Sequence, residues 1–188
     1  GLECRNFEQS SDNPDFLFVG GNALRKGINY LIGAWEKTEM NNSSLFIRSS
    51  FSNNVDDFLK EKNLKNVHFL DEHIENLVDL YSKADILVLP SLEDGFGMVV
   101  TEAMASGMPV IVSENTGAKE IVENGENGFL IPIKDEKAIR EKIRYLQENP
   151  EEIERMGKNA RETAEKYTWD RYGDKIVEKY KEVLDQEE

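Results

Sequence analysis

The sequence predicts an α/β fold: a doubly wound, parallel sheet of about six strands with additional helices at its C-terminal end. Three observations carry this prediction. Short apolar runs recur from Phe16 to Ile131, each followed by a more polar segment long enough for a helix or a loop. The runs are nearly unbroken rather than alternating, as expected of strands covered on both faces. Beyond them the apolar runs stop and only helix-start signals remain. Strands alternating with helices imply β-α-β units, and therefore parallel pairing.

The elements follow in order. The first strand is expected at 16–19, and the helix at about 27–40 is entered through Gly20-Gly21-Asn22-Ala23-Leu24-Arg25-Lys26-Gly27. The second strand falls at 45–47, a helix at about 54–63, the third strand at 67–70 and a helix at about 74–83. The fourth strand, 86–89, ends in Pro90-Ser91. An acidic turn, Asp94-Gly95-Phe96-Gly97, then leads into a short Ala/Met-rich helix at about 98–106, which Gly107 stops. Pro109 opens the fifth strand, 109–112; a helix at about 117–124 leads to the sixth, 129–131. Asp135-Glu136 starts a further helix. Asn149-Pro150-Glu151-Glu152 starts the next, with Asn as N-cap, Pro at the first helical position and acids in the first turn. Thr168 is the expected N-cap of a last helix at about 169–185. With no linker, repeat or low-complexity segment, residues 1–188 read as one domain.

The formal net charge of -14 argues against nucleic acid or an anionic membrane as partner of the whole surface. It leaves a nucleotide ligand open, because a diphosphate needs only two or three local cations. Acid runs at 123–126, 148–154 and the C-terminus are read as solvated surface. No stretch approaches the roughly 20 apolar residues of a membrane span, and no secretory leader is legible. The single cysteine, Cys4, permits no internal disulfide, which fits a cytoplasmic location. The Asn42-Ser43-Ser44 triplet is discounted as chance.

Candidate site residues cluster where strands end. In open α/β sheets, ligands bind in the crevice at the carboxyl ends of the strands. Gly20 and Gly21 let the backbone approach an anion, and the following helix N-terminus offers free N–H groups. Arg25 and Lys26 stand in this loop as candidate cations for such an anion, since a guanidinium can grip phosphate oxygens bidentately; a solvated residue at the helix start is the alternative for Arg25. Arg48, at the end of the second strand, is a third cation. Asp94 is either a ligand or the turn-forming Asp that often precedes Gly. Gly95, Phe96 and Gly97 can offer backbone N–H groups as an anion nest, although Phe96 could equally plug the core. Glu102 lies one to two turns into its helix and points back toward the loop. A carboxylate there accepts hydrogen bonds only, which suits a pair of vicinal hydroxyls. Gly117 is read as a tight-turn residue, and Glu120 as structural as readily as functional. Asp71-Glu72-His73-Ile74 follows the third strand. No Cys/His cluster and no D-x-D pair indicates a metal.

These residues, PSLEDGFGMVVTEAMASGMPV above all, resemble the retaining family-4 glycosyltransferases, with their PS-x-x-EGFG-x-x-x-x-EAMA-x-G-x-P-V pattern. The first acid is Asp94 here instead of Glu. Lys26-Gly27 matches the family's V-G-R-x-x-x-x-K-G element, while Gly21 stands where its Arg is common. Gly117-Ala118 and Glu120 are similar to its G-G-x-x-E. Gly1-Leu2-Glu3 through Phe7 resembles the G-V-D-x-x-x-F segment that follows the interdomain linker.

The resemblance implies a Rossmann-like donor-binding domain, one half of a GT-B fold, with the N-terminal acceptor-binding domain absent from this chain. It implies transfer of a hexose, with retention, from a UDP-, GDP- or ADP-linked sugar to a saccharide or lipid-linked acceptor in polysaccharide biosynthesis. The full-length protein would then work peripherally at a membrane, with no cofactor and no metal. In this scheme Asp94, Glu102 and Lys26 are catalytic: Lys26 neutralises the departing diphosphate, Glu102 holds the ribose and Asp94 faces the sugar. Gly21, Arg25, Arg48, Gly95, Phe96, Gly97 and Gly117 complete the substrate site, and residues 71–74 fall at the base pocket. Two other classes stay open, a catalytically inactive nucleotide-sugar-binding module and a GT-B sugar-nucleotide epimerase.

Overall fold

The computed structural model describes residues 13–38, 42–49, 59, 62, 64–70 and 76–185. Cys4, the segment 1–7, residues 71–74 and nearly all of the helix expected at 54–63 lie outside the described residues.

Six strands form one parallel sheet: β1 (Phe16–Gly20), β2 (Leu45–Ser49), β3 (Val67–Phe69), β4 (Ile86–Leu89), β5 (Val110–Ser113) and β6 (Gly128–Ile131). Their order is β3-β2-β1-β4-β5-β6. The chain winds outward from β1 in one direction, returns to pair β4 beside β1, and winds outward in the other. Right-handed crossovers on the two sides of β1 place the connecting helices on opposite faces. The reversal between β1 and β4 is the switch point, where the carboxyl ends of two adjacent strands diverge and leave a crevice.

The central strands are buried on both faces, as their unbroken apolar runs require: Phe16, Leu17, Phe18, Ile86, Leu87, Val88 and Leu89 have no accessible surface. β2, nearer an edge, alternates buried and half-buried residues. Asp15 fixes the register at the sheet's lower rim. Its backbone N–H donates to Asp85 Oδ2 at 2.6 Å, its carbonyl accepts from Asp85 N at 2.8 Å, and its Oδ1 accepts from Ser44 N at 2.6 Å.

Helix α1 (Ile28–Glu36) starts one residue after Gly27 and ends four residues short of the expected bound, where Thr38 Oγ1 donates back to Ala34 O at 2.8 Å. Helix α2 (Leu77–Tyr81) is capped by Asn76, whose side chain accepts from Val78 N at 3.0 Å. Helix α3 (Met98–Ala105) closes at Gly107, whose φ of 80° stops it as expected. Helices α4 (Glu136–Glu148) and α5 (Pro150–Ala164) pack over the sheet, α4 against α1 and α5 against α3.

The helix expected at 117–124 is only a 3-10 turn, Gly117–Glu120. The buried Asn127 side chain prevents its extension: it accepts from Glu123 N at 2.8 Å and donates to Ile121 O at 3.0 Å, taking the groups a longer helix would use. Asp135 caps α4 as expected, accepting from Ala138 N at 2.9 Å. Asn149 occupies the N-cap of α5 but makes no side-chain cap bond; its amide instead donates to Tyr145 O at 2.7 Å and closes α4. Helix α6 (Trp169–Asp185) follows Thr168, and residues 165–184 are exposed throughout.

Candidate functional site

Two loops meet at the switch point. The first leaves β1 at Gly20 and turns tightly: Asn22 O accepts from Lys26 N at 2.9 Å, and Asn22 Oδ1 accepts from Arg25 N at 3.1 Å. The turn lays the Lys26 side chain back across Gly20, where an added Cβ would stand only 2.7 Å from Lys26 Cγ. Gly27 then adopts φ 78°, and its bare Cα faces the Pro90 carbonyl oxygen at the end of β4 with no room for a side chain. Both constraints demand glycine at Gly27.

The second loop leaves β4 at Pro90. Leu92 N donates to Arg25 O at 2.9 Å, which ties it to the first. On its other side it is tied to the loop after β5: Ser113 Oγ donates to Ser91 O, Asn115 Nδ2 to Leu92 O at 3.2 Å, and Asp94 N to Asn115 O at 3.2 Å. Gly117 donates its N–H to Asp94 O at 3.2 Å and lies against the backbone of Gly95 and Phe96, so closely that a Cβ there would strike Gly95 O. Gly117 thus acts by admitting the second loop. Gly97, φ 76°, opens α3.

This framework brings several of the expected site residues together. Lys26 Nζ donates to Asp94 Oδ2, joining the first loop to the second across the crevice. Both side chains are nearly buried, at 11% and 12% exposure, so this pair is sheltered from the solvent screening that weakens surface pairs. Helix α3 begins four residues after Asp94, and the N–H groups and dipole at its N-terminal end favour negative charge. Gly21 and Gly95 are open to solvent, with no atom within 4 Å of where a Cβ would stand. Arg25 is exposed beside them. Phe96 is 43% exposed, which rules out the core-plug alternative.

Glu102, on the second turn of α3, is half-buried and accepts a hydrogen bond at 2.6 Å from Tyr81 Oη, at the end of α2. Burial, and secondarily the bond to Glu102, push the Tyr81 phenol far above its ordinary range; Arg48, next to last in β2, is near enough for its charge to oppose that shift. Arg48 therefore belongs to the surroundings of Tyr81, one strand removed from the Lys26–Asp94 pair. Tyr81 had no signal in the sequence, because its meeting with Glu102 joins two helices on either side of β4. His68 stacks on Phe46 with ring centroids 5.2 Å apart, a strand role. Glu120 is exposed on the 3-10 turn. A cavity of about 500 Å³ opens beside the second loop, lined by Phe96, Met98 and Thr101 on one wall and Tyr167, Trp169 and Tyr172 on the other.

Among the described residues no group of three or more His, Cys, Asp or Glu side chains could hold a metal ion, and no helix is long and apolar enough to cross a membrane. The arrangement offers a buried ammonium, exposed backbone at two glycines, a helix N-terminus and an acceptor-only carboxylate around one crevice. Chemically, it can take an anion and a hydroxyl-bearing group side by side.

Comparison with known proteins is consistent with this geometry. The model of the family described as glycosyl transferases group 1 matches residues 3–163. An uncharacterized glycosyltransferase of Methanocaldococcus jannaschii, MJ1178, is 31% identical over 170 residues, covering 90% of this chain and 48% of that protein. The chain thus spans about half the length of this relative. Among solved structures, sucrose-phosphate synthase from Thermosynechococcus elongatus superposes with a TM-score of 0.81 at 29% identity, over 93% of this chain and 46% of that one. HepE of Anabaena, solved in complex with UDP and glucose, superposes with a TM-score of 0.76 at 22% identity, over 93% of this chain and 50% of that one.

Proposed function

Since the chain belongs to the family of glycosyl transferases group 1, we propose that it is the donor-binding half of a GT-B enzyme. That enzyme would move a hexose, with retention, from a nucleoside-diphosphate sugar to a saccharide or lipid-linked acceptor. The observation that carries the reading is the nearly buried Lys26–Asp94 pair at the switch-point crevice, with Glu102 on the helix that follows. The complex of HepE with UDP and glucose supports the same ligand class.

In this reading the diphosphate lies over the first loop. Lys26 turns from Asp94 to the phosphate oxygens, Arg25 adds a second cation, and the N-terminus of α3 adds a dipole. Negative charge grows on the diphosphate as the bond from the sugar's anomeric carbon to oxygen breaks. A fixed cation is worth most there, because it stabilises the transition state more than the bound donor. Asp94, released from Lys26, faces the sugar together with the backbone of Gly95 to Gly97. Glu102 accepts hydrogen bonds from the ribose hydroxyls. The acceptor hydroxyl forms its bond to the anomeric carbon on the face the diphosphate leaves, and its proton departs with a diphosphate oxygen. No metal is required for charge neutralisation. The acceptor site belongs to the other half of the enzyme, so this chain alone binds nucleotide and transfers little. The work is done in the cytoplasm, with the full-length protein peripheral to a membrane.

Calorimetric titration of the chain with UDP, GDP and ADP tests this. One of the three is expected to bind selectively. Glu102→Ala should weaken it by about 1.5–3 kcal/mol, the worth of charge-assisted hydrogen bonds. Lys26→Ala should weaken it and leave Asp94 without its partner. Absence of binding to all three, or binding indifferent to both substitutions, would overturn the reading.

A further inference from the structure

Tyr81 is 2% exposed, yet its hydroxyl is spent on a half-buried carboxylate. The phenol has one proton to donate. Two oxygens lie in reach, Glu102 Oε2 at 2.6 Å and the Val99 carbonyl at 3.5 Å, and the first distance is that of a strong charge-assisted bond. The tyrosine itself is held rigidly: it ends α2, its ring is in the core, and only residues 82–85 separate it from β4. Glu102 has no such anchorage of its own. It is the one acid of a helix otherwise made of small and apolar residues, and three rotatable bonds separate its carboxylate from the backbone.

From this geometry we infer that Tyr81 is a positioning residue for nucleotide binding, fixing the Glu102 carboxylate for the ribose hydroxyls. The inference rests on the donor-site reading above. Tyr81 occupies a single lone pair of Oε2. Oε1 and the remaining lone pair of Oε2 stay available, which is what two neighbouring hydroxyl donors need. The carboxylate is then ordered before the ligand arrives, and binding does not have to order it. Tyr81 touches no ligand in this scheme; it acts through Glu102 alone.

The measurement is a ratio. UDP, GDP and ADP are each compared with their 2′,3′-dideoxy forms, in the parent chain, Tyr81→Phe, Glu102→Ala and the double variant. The ratio of the two affinities isolates the contribution of the hydroxyls, and it is independent of the fraction of protein that is folded. Tyr81→Phe keeps the ring and removes only the hydroxyl. It is expected to lower the preference for ribose by about 5–10-fold, the net worth of one hydrogen bond. Glu102→Ala is expected to abolish the preference, and Tyr81→Phe to change nothing further in that background. A purely structural tyrosine would weaken both nucleotide forms alike and leave the ratio untouched, which would overturn the inference. Retention of the ribose preference in Glu102→Ala, or no binding of any nucleotide, would instead bring down the donor-site assignment itself.

Discussion

Gly27 shows how much one residue can carry. Its φ of 78° lies where other residues are strained, and its missing side chain lets the start of α1 lie against Pro90. Gly27→Ala is expected to cost at least about 2 kcal/mol, the left-handed penalty plus a clash with backbone, read as a lower urea midpoint. Tyr81 makes a different prediction. Its proton is held more tightly in the folded chain than in the unfolded one, whose phenol titrates near 10.0. Below that pH both states keep the proton and the full stability is present. Above it the unfolded chain ionises first and the folded state loses stability as pH rises. Tyr81→Phe should therefore show a shallower fall in stability above pH 10 than the parent, measured by urea unfolding at stepped pH. Legibility in the sequence differs among these residues. Lys26, Asp94 and Glu102 stood out because they lie in loops and helix starts that a linear pattern preserves. Tyr81 did not, because a tyrosine at the end of a helix looks like any core aromatic until folding puts a carboxylate against it.

At the scale of elements, the strands were the most legible part, since a strand buried on both faces writes its burial directly as an apolar run. The helices were placed well but bounded poorly, and side-chain hydrogen bonds explain the differences. Thr38 ends α1 early, Asn127 holds the 117–120 turn to a single turn, and Asn149 serves the end of α4 instead of the start of α5. Each is a polar side chain bonded to backbone four to six residues away, and a propensity pattern does not say which of the nearby backbone groups it takes. Asn127 also donates to Thr163 Oγ1 at 3.1 Å, joining the turn before β6 to α5. Asn127→Ala would strand Ile121 O and Glu123 N, and is expected to cost about 2–3 kcal/mol in chemical denaturation. Asp135→Ala should cost only about 1 kcal/mol, the worth of one N-cap.

The whole molecule divides into a packed α/β body and a helix that leans on little of it. Along α6, Trp169, Tyr172, Tyr180 and Leu184 are all more than half exposed. Ending the chain after Thr168 should therefore change the stability of the body by less than about 1 kcal/mol, measured from its urea midpoint. The parallel alternation of strand and helix made this body legible from the sequence; the packing of the last helix was not, because an amphipathic pattern does not name what it faces. The order of strands has a consequence in time. β1 lies in the middle of the sheet, but Asp15 finds its partner Asp85 only 70 residues later. Until the ribosome has delivered β4, β1 has one neighbour, and along its other edge the backbone N–H and C=O groups of a strand with only apolar side chains stay unpaired. A pairing this distant in sequence is of the kind that slows folding. A nascent chain stalled before Asp85 would leave that edge of β1 open, and one stalled between Leu89 and Val110 would pass the same hazard to β4, which waits for β5.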